Sequence, residues 1–135
     1  EAQFYQYDGF AVGPTGTVPL AHLKGTFDRF YREYLGPDTQ IRFRPSYFPF
    51  TEPSVEVDVW FEAPGKKGQW LEMFGAGMLH PNVIKNAGLD PDMFQGFAFG
   101  PGLERVIMVK YGIPDIRLFH SGDTRFVCGF DEKII

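Results

Sequence analysis

Three prolines, Pro45, Pro49 and Pro53, fall close together between two runs in which apolar and polar residues alternate. Proline has no N–H to give a sheet ladder, so this segment is not expected to run as a regular central strand. The flanking runs can. Ile41 and Phe43 on one side, and Val55, Val57 and Val59 on the other, alternate with polar neighbours as half-buried strands do. The reading is two strands joined by a rigid, proline-fixed loop.

Other elements follow from spacing and punctuation. Phe4 to Val12, aromatic and β-branched, reads as a strand, and Gly13-Pro14-Thr15-Gly16 as a turn. Leu20, Leu23, Phe27, Phe30, Tyr31 and Tyr34 recur at helical spacing, and Gly36-Pro37 ends that helix. Their aromatic stripe is read as core rather than as a base-stacking platform. Ala63 to Gly68 reads as a lysine-bearing turn with solvated Lys66 and Lys67, and Gln69 to Met78 as a strand. His80-Pro81 opens a short helix to Asn86, closed by Gly88. Phe94 to Phe99 is a strand, Gly100-Pro101-Gly102 a turn, and Leu103 to Tyr111 a helix ended by Gly112 and Pro114. Strands with hairpin-like links, mixed with helices, predict an α+β domain on an antiparallel sheet.

Composition removes several classes. At 44% hydrophobic and 22% charged over 135 residues, the chain can bury a core and is not disordered. A net charge of −4 argues against a broad nucleic-acid surface, so any RNA contact is local or supplied by another chain. One cysteine, Cys128, excludes an internal disulfide and fits a reducing, cytoplasmic setting. It is read as a small packing residue on a terminal helix, not as a nucleophile. No apolar run approaches the roughly 20 residues that span a bilayer, so no membrane partner is expected. Glu1 stands where a start Met would be, which suggests a piece of a longer protein. His22, His80 and His120 lack metal-ligand spacing, and no zinc site is expected.

Two segments carry chemistry. In Arg42-Phe-Arg-Pro-Ser-Tyr-Phe-Pro-Phe-Thr-Glu-Pro-Ser54, Phe48 and Phe50 are two residues apart and share a face if the chain is extended there. Two such rings can grip an aromatic ligand, although apolar residues are most often buried simply for packing. Glu52 beside them can ligate a metal or an ammonium, or be a surface carboxylate. Arg42 and Arg44 are read as structural ion-pair partners. In Gly96-Phe-Ala-Phe-Gly-Pro-Gly-Leu-Glu-Arg105, glycines precede a helix start, which suits close approach by an anion. Arg105 in the first turn can clamp a phosphate or be a solvated charge.

Together these segments, with Trp70-Leu-Glu-x-x-Gly-x-Gly-Met-x-His-Pro-Asn-Val83 between them, resemble the phenylalanyl-tRNA synthetase α subunit family of class II aminoacyl-tRNA synthetases. The resemblance covers essentially the whole chain, and Gly96 to Arg105 is similar to that family's motif 3. It implies that residues 1–135 are a partial class II catalytic domain, from the second strand of motif 2 through motif 3. It also implies phenylalanine binding by Gln6, Asp8, Phe48, Phe50, Ala98 and Gly100, ATP binding by Phe4, Glu72 and Arg105 with Arg105 catalytic, and Mg²⁺ at Glu52. The implied partners are a β subunit in an α2β2 heterotetramer, tRNA(Phe), phenylalanine and ATP. Three positions depart from the pattern: Tyr5 replaces a usual His, Asp8 a usual Glu, and Pro101 a usual Met or Leu. They leave open an alternative, a synthetase-like binding or regulatory protein that has lost activation. The resemblance further implies that the motif 2 arginine and motif 1 lie outside these residues, so that this piece alone is expected to be inactive.

Overall fold

A computed structural model describes residues 3–130. Its centre is a five-stranded antiparallel sheet in the order β1-β5-β4-β3-β2. The strands are β1 (Gly9–Pro14), β2 (Ile41–Phe48), β3 (Thr51–Phe61), β4 (Gln69–Leu79) and β5 (Phe94–Pro101). The helices are α1 (Leu20–Leu35), α2 (Pro81–Asn86), α3 (Leu103–Tyr111) and α4 (Thr124–Val127), with a 3-10 turn over Ile116–His120. The expected α+β domain on an antiparallel sheet is therefore present. Residues 1–2 and 131–135, the ends of the expected domain, lie outside the described residues.

Helix α1 lays Leu23, Phe27 and Tyr31, spaced one turn apart, against one sheet face. The core reading of this stripe holds. Val55, Val57, Val59, Phe74, Ala76 and Phe97 meet it from the strands. A smaller cluster, Phe61, Ala63, Met108 and Ile113, ties α3 to the β3–β4 end. Gly112 closes α3 at φ 64°, the left-handed position glycine tolerates without strain. His80 caps α2 by accepting the Asn82 N–H on Nδ1 at 3.2 Å.

Four expectations need correction. The proline-rich stretch is sheet, not loop. Pro45 lies on the edge strand β2, where the Trp60 N–H to Gln40 O bond makes the even-numbered residues of β2 the hydrogen-bonded ones. The Pro45 nitrogen therefore faces the open edge and nothing is lost. Pro53 falls in a bulge between the Thr51–Leu79 and Ser54–Gly77 pairs. The loop shrinks to Pro49-Phe50, which turns β2 into β3.

Residues 100–102 are not a tight turn, because β5 continues to Pro101 and feeds straight into α3. The expected first strand, in turn, begins at Gly9 rather than Phe4. Its register nonetheless persists upstream, in the Gln6–Gly102 bridge and the Tyr7 N–H to Pro101 O bond at 3.1 Å. Pro101 cannot return the second bond of that pair, so regular pairing lapses there. Cys128 is exposed, which removes its packing role; the terminal segment is too short to bury it. Lys66 is exposed as expected, and its Nζ donates to Pro114 O at 2.8 Å.

Candidate functional site

Strand alternation sends Gly96, Ala98 and Gly100 of β5, and Gly75 and Gly77 of β4, to the face opposite α1. Small residues on the adjacent strands β4 and β5, with longer ones flanking them, make a trough. It opens as a cavity of about 1070 Å³. One wall is Gln6, Asp8 and Phe10 from the β1 side, and the other is Phe48, Phe50 and Glu56. Glu72 and Arg105 stand at one end; Leu79, Val83 and Ile84 form an apolar end.

The structure brings most of the predicted residues together here. Phe4, Gln6, Asp8, Phe48, Phe50, Glu72, Ala98, Gly100 and Arg105 all line this one cavity. Phe48 and Phe50 do so across a turn, not along an extended strand, because Pro49 sits between them at the hairpin tip. Their rings lie 6.2 Å apart at 22°, near parallel. Ser54 Oγ holds the Phe48 N–H at 3.2 Å while donating to Thr51 O at 2.8 Å, so the bulge fixes the base of that wall. Gln6 Nε2 donates to Asp8 Oδ1 at 2.8 Å, which leaves the Gln6 carbonyl and the Asp8 carboxylate as a pair of acceptors suited to an ammonium. A Cβ at Gly100 would lie 2.0 Å from Gln6 Nε2 and 2.5 Å from Asp8 Oδ1, so this pair rests on the bare backbone of β5.

Arg105, in the first turn of α3, donates from Nη1 to the Glu72 carbonyl. That bond anchors one nitrogen of a five-donor fork and leaves the others for an anion at the helix start. Glu104, only 5% exposed, does a different job. Where β5 becomes helix it no longer offers a strand carbonyl, and Glu104 Oε1 accepts the Tyr5 N–H at 2.8 Å instead. The Leu103 N–H to Tyr5 O bond at 2.9 Å completes the clasp. Phe4 and Gln6 are thereby tied to the helix that carries Arg105.

Glu52 is exposed in the β3 bulge and does not line the cavity. Among the described residues no group of three or more His, Cys, Asp or Glu gathers as a metal cage. Mg²⁺, however, is commonly held by one or two carboxylates together with substrate phosphates. Glu72, exposed at the cavity end beside Arg105, is a carboxylate of that kind.

The arginines of β2 are ion-paired, as expected. Arg42 Nε reaches Asp58 Oδ2 at 2.7 Å, and Arg44 Nε and Nη2 reach Asp58 at 2.5 and 2.9 Å. Arg44 also meets Glu56 at 2.8 Å, and Arg42 lies over the Trp70 ring at 4.4 Å. Hydrogen bonds from Arg44, then Arg42, hold the Asp58 carboxyl below its usual range despite burial.

Sequence reasoning did not single out Ser54, Glu56, Gly75 or Glu104. Ser54, Gly75 and Glu104 lie inside the quoted motifs and Glu56 just past the first, and Glu56 and Gly75 are register partners that share a face.

Comparison with known proteins gives the same direction. The family of class II tRNA synthetase core domains (F) matches residues 1–130. The chain is similar to the phenylalanine–tRNA ligase alpha subunits of Shigella boydii, at 52% identity over 127 residues, and of Cronobacter sakazakii and Yersinia enterocolitica, each at 51%. These alignments cover 94% of this chain and 37% of each relative, so the chain spans little more than a third of their length.

Proposed function

We propose, from the premise that this chain belongs to the class II tRNA synthetase core domain family, that it carries the amino-acid pocket and much of the ATP seat of a phenylalanine–tRNA ligase α subunit. The observation that carries this reading is that Phe48, Ala98 and Arg105, from separate stretches of sequence, line one cavity. The name of the relatives supports the choice of amino acid. So does the chemistry, since two parallel rings and a methyl floor favour an uncharged aromatic side chain.

In this reading the substrate ring enters between the Phe48–Phe50 wall and Ala98, above Gly100. Its ammonium meets Asp8 and the Gln6 carbonyl. Phe4 stacks on adenine, and Arg105 holds phosphate oxygens. The amino-acid carboxylate attacks the α-phosphorus in line, and pyrophosphate leaves with the bonding electron pair. The terminal ribose hydroxyl of tRNA(Phe) then attacks the activated carbonyl and AMP departs. The chain's own residues act by positioning and charge compensation, and no protein nucleophile is needed. Mg²⁺, when bound, neutralises phosphate charge, with Glu72 the nearest fit among the cavity carboxylates and Glu52 a separate exterior candidate. A hydrophobic pocket rejects an added hydroxyl by only around a hundredfold. Discrimination against tyrosine therefore needs editing elsewhere, on a β-subunit partner of a cytoplasmic α2β2 assembly.

The test is amino-acid-dependent ATP–pyrophosphate exchange by the full-length chain with its partner subunit. Phenylalanine is expected to drive exchange and tyrosine far less, while these 135 residues alone give none. Exchange driven by an anionic amino acid such as phosphoserine but not by phenylalanine would sink the reading. A complex that binds phenylalanine without any exchange would favour the regulatory alternative.

A further inference from the structure

Gly75 and Gly100 are register partners on the adjacent strands β4 and β5, side by side on the cavity floor. Gly100 leaves room for the Gln6–Asp8 pair. Gly75 faces the other wall, where a Cβ would lie 2.4 Å from Phe48 Cζ and 2.7 Å from Phe48 Cε2. The Phe48 ring thus stands tip-first on backbone that bears only hydrogen. Gly75 is not among the glycines with positive φ, so its conformation does not demand glycine. The space above it does.

Nor can Phe48 withdraw as a unit. Its N–H is held by Ser54 Oγ, and its register partner is Thr51 across the Pro49-Phe50 turn. Only rotation about its side-chain bonds can answer a methyl at position 75. Such rotation lifts the ring off the floor, and the space above the floor is the cavity. We propose that Gly75 is a specificity-determining positioning residue: its missing side chain seats Phe48 against the sheet and so sets the breadth of the apolar pocket. This deepens, and rests on, the reading of the cavity as a phenylalanine site. Ala98 limits that site with a methyl, and Gly75 widens it by lacking one.

The experiment is Gly75→Ala in the full-length chain with its partner subunit, read by phenylalanine-dependent ATP–pyrophosphate exchange. Overpacking of this kind should raise KM for phenylalanine about tenfold or more and leave KM for ATP within about twofold. Combining Gly75→Ala with Phe48→Leu, which shortens the obstructing ring, should cost less than the two single losses added together. If both KM values rise in step and the two losses simply add, Gly75 is merely structural and the inference fails. A crystal structure of the Gly75→Ala protein supplies a readout that does not depend on activity. A Phe48 ring displaced from the floor supports the inference, and an unmoved ring overturns it. Should the parent protein show no phenylalanine-dependent exchange, the substrate reading falls, while the ring position still decides whether Gly75 seats Phe48.

Discussion

The two faces of the sheet are built from the same strands and behave as opposites. Toward α1 the strands present Phe74, Ala76 and Phe97, and Phe27 meets Phe74 and Phe99 at ring distances of 4.4 and 4.9 Å. One residue along, on the other face, β4 and β5 present Gly75, Gly77, Gly96, Ala98 and Gly100. Large groups fill the inner side, and their absence hollows the outer one. Because side chains alternate with period two, one segment such as Phe97-Ala98-Phe99-Gly100 supplies core and cleft at once. The consequence is a separation of effects. Changes on the inner face should act on stability, and changes on the outer face on ligand.

The largest expected effect is on the inner face. Phe27, 4% exposed, sits at the centre of the ring cluster, and Phe27→Ala should cost about 3–5 kcal/mol. Urea unfolding of the parent and variant chains measures it. A loss below about 1 kcal/mol would mean that α1 does not anchor this face as the packing indicates.

A second substitution tests where the separation breaks. By parity Asp58 belongs to the outer face, yet its side chain is 1% exposed and serves as the acceptor for two arginines of the edge strand. Removing it leaves Arg42 without its anion and Arg44 with Glu56 alone. Both are about two-fifths exposed, so water compensates in part, and Asp58→Ala should cost about 2 kcal/mol of stability. The pH dependence has a definite sign. The folded pKa is below the ordinary 3.8, so the contribution is complete above that value and fades as pH falls through the folded pKa. The gap in stability between parent and variant should therefore close in acid. A gap that persists unchanged at low pH would rule out the ion pairs as its source.

The two faces also differed in how legible they were. The inner face follows from spacing alone: Leu23, Phe27 and Tyr31 announce a helix stripe, and Val55, Val57 and Val59 a strand facing it. The outer face does not, since a glycine has no side chain whose pattern can be read. Phe48 and Arg105 stood out as candidates beside their packing and solvated readings, Gln6 and Ala98 came only from resemblance to a family, and the structure then brought all four to one cavity. Proline misled in one direction, toward loop or turn where the chain is strand. Pro45 and Pro53 are harmless because one faces an open edge and the other sits in a bulge. Pro101 is harmless because the ladder gives up one bond there. Edge position and bulges depend on which strands are neighbours, a tertiary fact that local spacing does not contain. Glu104 was hidden for a similar reason: its partner, the Tyr5 N–H, lies far away in sequence.

The smallest expected effect has the opposite sign and sharpens the contrast from within the core. Tyr31 is fully buried on the inner face, and its hydroxyl has no hydrogen-bond partner among the described residues. Burial, with the nearby Tyr7 adding to it, pushes the phenol far above its usual range, so it stays neutral at any working pH. A neutral O–H that loses its water and gains no partner costs free energy, whereas the ring beneath it packs with Phe27 and Phe74 as a phenylalanine would. Tyr31→Phe deletes one oxygen and keeps every ring contact. It should raise stability by about 1 kcal/mol, the lower part of the range for an unsatisfied buried group. The measurement is the urea midpoint, which should rise at unchanged slope. A fall instead would mean that the hydroxyl does find a partner in solution, and that the inner face, like the outer one, holds a polar contact its packing does not reveal.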